Sequence, residues 1–187
     1  MAVDTSQFRN GLKIELDGEP YSIVFFQHVK PGKGGAFVRT KVRNLKNGKV
    51  LERRFRAGER VDLADVEERR MQYLYPHGDQ LVFMDNESYE QLSVNRDMIG
   101  EPADFLLEGM ICTIQLHDGV PLSVTLPQTV TMRVTEADPV VKGQTASSSY
   151  KPGKLENGRR VMLPPHIGQG TRIVVNTADG SYVERAK

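Results

Sequence analysis

The 187-residue chain has a single cysteine, Cys112, and only four histidines. One thiol excludes an internal disulfide and leaves no thiol cluster for zinc, so a reducing compartment is the expectation. The histidines, His28, His77, His117 and His166, are scattered without metal-ligand spacing, and no metal or cofactor is expected. No stretch approaches the roughly 18 consecutive apolar residues of a membrane span. Residues 1–11 are polar and lack the apolar run of a signal peptide, so a cytoplasmic protein is expected. Catalytic motifs are missing as well. There is no G-x-S-x-G elbow and no carboxylate pair with defensible acid/base spacing, so no catalytic residue is assigned. Aromatic residues make up 7% of the chain. Their scarcity around its most basic stretch disfavours sequence-specific reading of a single strand.

Net charge is also nearly absent, at +1, but only as a sum. Residues 1–63 carry 13 basic and 7 acidic side chains, residues 64–128 carry 3 and 12, and residues 129–187 carry 9 and 5. Basic ends around an acidic middle fit a protein lying along a polyanion in one orientation; clustering on solvated surfaces fits them equally well.

What the sequence has in abundance is short strand-like runs punctuated by turn residues. They occupy 12–16, 21–28, 36–42, 80–84, 110–116, 121–126, 129–135, 171–176 and 181–184. Asp17-Gly18, Asn47-Gly48, Asp118-Gly119, Asn157-Gly158 and Asp179-Gly180 are hairpin signals, because type I′ turns need residues that tolerate positive φ. Only short helices are expected, for example near 94–98 or 102–106. The spacing predicts a mostly β chain of small barrels or sandwiches.

An internal repeat divides it further. Gly109 and Gly119 bracket a β run ending in Asp-Gly, and Gly170 and Gly180 repeat that arrangement 61 residues later. At this offset Cys112 aligns with Ile173, Ile114 with Val175 and Met71 with Met132. The second and third segments read as two copies of one barrel, although any two β-hairpins share some of this pattern. Cys112 alternates with Met110, Ile114 and Leu116 and reads as a core residue. Residues 142–154, with Gly, three serines and Pro152, read as a long mobile loop.

The most distinctive segment is Lys30-Pro31-Gly32-Lys33-Gly34-Gly35-Ala36-Phe37. It lies between two strand-like runs and is expected to form a hairpin tip. It is not a Walker loop, because Lys33 is followed by glycine rather than Ser or Thr. Pro31 restricts the incoming backbone, and glycines 32, 34 and 35 strip side-chain bulk from around one ammonium. Such a projection suits entry into a crowded polyanionic cleft; a plain basic turn has the same composition. Beyond it, alternation puts Arg39, Lys41 and Arg43 on one strand face, suited to phosphate or simply to water. A lysine nucleophile would need burial, which an exposed tip does not provide.

Four stretches together resemble the bacterial elongation factor P family. They are the Lys33 loop with Ala36-Phe37-Val38-Arg39; Tyr73-Leu74-Tyr75, Gly78-Asp79, Val82-Phe83-Met84-Asp85 and Tyr89-Glu90-Gln91-Leu92; Leu126-Pro127 with Val130; and a C-terminal series from Lys151-Pro152 through Leu155-Glu156-Asn157-Gly158, Pro164, Gly170, Thr177 and Gly180 to Tyr182 and Arg185. The resemblance implies a KOW/SH3-like barrel at 1–63, an acidic OB-type barrel at 64–128 and a second OB-type barrel at 129–187. It implies a monomeric translation factor that binds the 70S ribosome beside the P-site peptidyl-tRNA and relieves stalling at consecutive prolines. Lys33 is implied as the site of a post-translational extension, added by a lysine-modifying enzyme, that reaches the CCA end of the tRNA. Lys30, Lys33, Arg39, Lys41, Arg43, Tyr182 and Arg185 are implied to meet tRNA or rRNA, and the loop of His77, Gly78 and Asp79 to face the exit-site side. Pro76-His77 departs from the family's usual acidic residue before that glycine. The alternative is a general single-stranded RNA-binding OB protein without ribosome dependence.

Overall fold

The computed structural model describes residues 1–139 and 149–187. They divide into two compact units, one of residues 1–69 with 114–124, the other of 70–113 with 125–187. No helix among them is long and apolar enough to cross a membrane.

The first sheet contains β1 (Ala2–Asp4), β2 (Lys13–Leu16), β3 (Glu19–Val29), β4 (Phe37–Asn44), β5 (Val50–Arg56) and β6 (Arg60–Leu63), ordered β1-β6-β2-β3-β4-β5. β5 and β6 are adjacent in sequence yet separated by three strands in the sheet. A flat sheet would put them about 19 Å apart, beyond the reach of residues 57–59. The sheet therefore curls until its two ends approach. Gly58 ties this corner down by donating its N–H to Thr5 Oγ1 at 2.8 Å. Ile14, Ile23, Val38, Val42 and Phe55 fill the interior, and Phe8 closes it edge-on against Phe55 at 5.3 Å.

The other two sheets share one plan. The middle one is built from β7 (Val66–His77), β8 (Gln80–Asp85), β9 (Gln91–Asn95), β10 (Ile111–His117) and β11 (Val120–Thr125), ordered β11-β10-β7-β8-β9. The C-terminal one uses β12 (Thr129–Ala137), β13 (Lys151–Leu155), β14 (Arg160–Leu163), β15 (Arg172–Asn176) and β16 (Tyr182–Arg185), ordered β14-β13-β12-β15-β16. Read from the other edge, the second order reproduces the first. The repeat-aligned pairs are all buried: Met71 and Met132, Cys112 and Ile173, Ile114 and Val175. The chain is mostly β, its described strands falling into three sheets.

Among the described residues all nine expected strands form, and seven more appear. β5 was hidden because Phe55 is its only buried side chain, so it has no apolar alternation to read. The expected loop at 142–154 needs correcting at its C-terminal end. Lys151–Leu155 is β13, and Gly153 lies so close to its neighbours that a Cβ there would come 2.4 Å from Leu163 Cδ1. Residues 142–148 of that loop lie outside the described residues, and 149–150 precede β13 without regular structure. Of the five turn signals, Asp17-Gly18 and Asp118-Gly119 have both φ angles positive, as a type I′ turn requires. In the other three only the glycine does. The helix expected at 94–98 begins late. Val94 is buried at the end of β9, and Asn95 caps α1 (Arg96–Ile99) by accepting the Asp97 N–H at 3.0 Å. The one expected at 102–106 is a 3-10 turn, Glu101–Phe105.

That turn lies in the connection from β9 to β10 and packs against the C-terminal copy. Arg159 reaches Asp104 at 3.4 Å and Glu101 at 3.5 Å, and Arg96 also pairs with Asp104. Asn157 donates its Nδ2 to the Asp104 carbonyl at 2.9 Å. The Phe105 ring lies under Arg159 and against Gly180, where an added Cβ would sit 2.8 Å from Cζ. Two of the turns that signalled hairpins thus also join the copies.

Candidate nucleic-acid interface

The Lys33 loop forms because its flanking strands stop pairing early. Val29↔Phe37 is the last pair of the β3–β4 ladder, so residues 30–36 project beyond it. Pro31 to Ala36 are all exposed, Lys33 among them, and the Lys33 ammonium has no carboxylate partner among the described residues. Gly34 adopts φ +95°, which other residues rarely do. Gly32 and Gly35 have ordinary φ values and nothing within 4 Å of an added Cβ. Nothing in the chain's own packing requires them to lack side chains.

The hairpin behind the loop gathers the basic stripe. β4 buries Val38, Thr40, Val42 and Asn44 and exposes Arg39, Lys41 and Arg43 on its other face, as alternation predicted. Cross-strand pairing adds two cations that sequence reading missed. Arg54 stands opposite Arg39, and Arg56 opposite Phe37. Partners in an antiparallel ladder point to the same side, so five cations share one face, with Glu52 opposite Lys41 as its acid. Like charges directly opposed, as in Arg39 and Arg54, are unfavourable unless an anion lies over them.

Aromatics are also present there. Between Ile23↔Val42 and Phe25↔Lys41 the ladder slips by one residue at Val24. Strict alternation would put Phe25 inside with Ile23; the bulge turns it outward, 39% exposed, with Lys41 Nζ 6.0 Å from its ring centroid. Arg54 lies over Phe37 at 5.2 Å. No single-sequence signal marks such a bulge.

A second bulge organises the C-terminus. Val175 pairs with Tyr182, Val174 with Glu184 and Ile173 with Arg185, leaving Val183 unpaired. Alternation alone would separate Tyr182 from Arg185. The extra residue returns both to the side of Val175 and Ile173 and sends Glu184 to the other. His77, Gly78 and Asp79 occupy the β7–β8 hairpin, all exposed, with Gly78 at φ +60° as the first residue of a two-residue turn. The Asp79 carbonyl accepts the Arg96 N–H at 2.9 Å, which ties the turn to the start of α1.

Other chemistry is scarce. Burial pushes the Cys112 thiol up to about 11, which disables it as a nucleophile at neutral pH. Among the described residues no cluster of three or more His, Cys, Asp or Glu has the geometry to hold a metal ion.

Three family models match the chain in order: the elongation factor P KOW-like domain at residues 4–61, its OB domain at 66–124 and its C-terminal domain at 130–185. The chain belongs to the elongation factor P family. Elongation factor P of Rhodospirillum centenum is 51% identical over 187 residues, covering 100% of both chains. That of Natranaerobius thermophilus is 50% identical over 185 residues, covering 99% of this chain and 98% of its own. Among solved structures, eukaryotic translation initiation factor 5A from Methanococcus jannaschii aligns with a TM-score of 0.57 at 24% identity, over 67% of this chain and 94% of that one. A translation initiation factor eIF-5A family protein from Naegleria fowleri aligns at 0.54 and 15% identity, over 67% and 98%. These two are likenesses of fold. Family membership makes the protein a translation elongation factor.

Proposed function

We propose that this elongation factor binds the 70S ribosome beside the P-site peptidyl-tRNA and stimulates peptide bond formation where consecutive prolines stall it. The observation that carries the reading is the slim, fully exposed Lys33 loop standing on a hairpin with a five-cation face. Proline is a constrained donor and acceptor, so the peptidyl-tRNA samples unproductive geometries. Arg39, Lys41, Arg43, Arg54 and Arg56, with Lys30, contact tRNA phosphates. Lys33 then reaches the CCA end and restrains it. Acceleration comes from positioning and pre-paid entropy, with no proton or group transferred by the protein. Gly32 and Gly35, unneeded by the fold, leave room for RNA on both sides of the lysine. Tyr182 and Arg185 contact RNA at the other end of the chain, and the turn of His77, Gly78 and Asp79 faces the exit site.

The factor works as a monomer in the cytoplasm, its domains dividing at 1–63, 64–128 and 129–187. A lysine-modifying enzyme extends Lys33, which a mass shift on the Lys33 peptide from native protein would register. The decisive experiment is Lys33→Ala in a reconstituted diproline synthesis assay. Stimulation should vanish while the thermal midpoint stays within a degree of wild type. Full activity of that variant would sink the reading.

A further inference from the structure

The C-terminal copy carries an aromatic corner that the sequence reading passed over. Tyr150 lies edge-to-face on Tyr182, ring centroids 6.5 Å apart at 85°. It is 53% exposed, and its hydroxyl has no hydrogen-bond partner among the described residues. It is nevertheless held in place. The next residue, Lys151, opens β13 in register with Leu163, and its Nζ donates to the carbonyls of Asp138 at 2.6 Å and Pro165 at 3.0 Å. The ring is thus anchored at its base and open to solvent above. The bulge at Val183 brings Arg185 to the Tyr182 side of β16 and turns Glu184 away. Asp179, in the turn before β16, accepts the N–H and hydroxyl of Ser181.

We infer that Tyr150 is a further RNA-binding residue, its exposed ring stacking on an unpaired base of a strand whose phosphate is met by Arg185. This rests on the ribosome-binding reading above and extends it to a residue outside the family pattern. An exposed aromatic ring packed on Tyr182, with Arg185 on the Tyr182 side of the same strand, favours a single strand of RNA over a basic protein surface. Edge-to-face packing on Tyr182 sets the ring's orientation before contact, which lowers the ordering cost of binding.

The test is co-sedimentation of the full chain with purified 70S ribosomes holding a P-site tRNA. Tyr150→Ala should weaken binding about tenfold, within the range of losing one base-stacking ring. Tyr150→Phe, which keeps the ring, should stay within twofold of wild type, and both variants should keep the wild-type thermal midpoint. A photoreactive phenylalanine analogue at position 150 should crosslink to RNA. Binding of Tyr150→Ala within twofold of wild type, equal losses in the Ala and Phe variants, or crosslinks to ribosomal protein alone would each overturn the inference and leave the proposed function standing. Failure of the wild-type chain to bind ribosomes at all would remove both.

Discussion

The middle and C-terminal copies have the same strand order and bury side chains at the same aligned positions, yet one segment holds 3 basic and 12 acidic residues and the other 9 and 5. Inward positions had to keep their size and polarity because packing tolerates little change. Outward positions carry no such constraint, and charge there differs between the copies. The copies also differ where their chains return to the last hairpin. The middle copy spends residues 96–110 there and buries Phe105, while the C-terminal copy spends only 164–171 and buries Ile167. The longer return reaches the neighbouring copy. The two copies meet through that longer connection.

That comparison breaks most visibly at Phe105. Removing a fully buried ring that also seats the joint should cost about 3–5 kcal/mol in denaturant unfolding. A loss below about 1 kcal/mol would mean that Phe105 is not the shared plug. Next, Met71→Ala and Met132→Ala should each cost about 2–4 kcal/mol, because aligned core sites left with similar cavities lose similar stability. Losses differing by more than about 2 kcal/mol would show that the copies are packed differently despite their common order.

A smaller effect separates them by pH. The Cys112 thiol is raised from 9.0 to about 11 by burial, while its counterpart Ile173 cannot ionise. Unfolding releases that thiol to its ordinary value, so the unfolded chain loses its proton first. Stability from this group is complete below about pH 9 and declines as pH rises toward 11. Tyr73, also raised by desolvation and also in the middle copy, acts in the same direction. Cys112→Val should flatten the upper part of the alkaline stability profile. An unchanged profile would remove the thiol from the account.

The smallest effect belongs to the ion pairs. Arg159 and Asp104 are each about a third exposed, so solvent screens them, and Arg159→Ala should cost about 1 kcal/mol. A loss of 3 kcal/mol or more would show the joint to be electrostatic rather than seated on Phe105.

The same contrast explains how much was legible in sequence. Strands with one buried face announced themselves by alternation, as in β4 and β10. The repeat was visible because the buried positions kept their spacing. β5 escaped because a strand at the edge of a barrel buries only Phe55 and otherwise reads as a charged run. β13 was mistaken for loop because Pro152 and Gly153 resemble punctuation until the approach of Leu163 shows why glycine is there. At the candidate interface, Lys33 and the β4 stripe were readable from local composition. Arg54 and Arg56 were not, since only the register of β5 against β4 places them beside Arg39 and Phe37. Phe25 and the Tyr182–Arg185 pairing depend on single-residue bulges that reverse alternation, and a pattern of period two has no term for them.

One contact at the joint also determines how the protein ages. Asn157 is followed by glycine, the pair most prone to spontaneous loss of the side-chain amide, and asparagine is among the thermolabile residues. Here the amide nitrogen is the donor to the Asp104 carbonyl. Deamidation would put a carboxylate against that carbonyl and beside the Asp104 acid, converting attraction into repulsion. Of the other two such pairs, Asn10-Gly11 and Asn47-Gly48, the latter lies exposed at a hairpin tip, where the Asn47 side chain accepts the Lys49 N–H. Chemical wear at Asn47 would leave the barrels as they are. Wear at Asn157 would loosen one copy from the other.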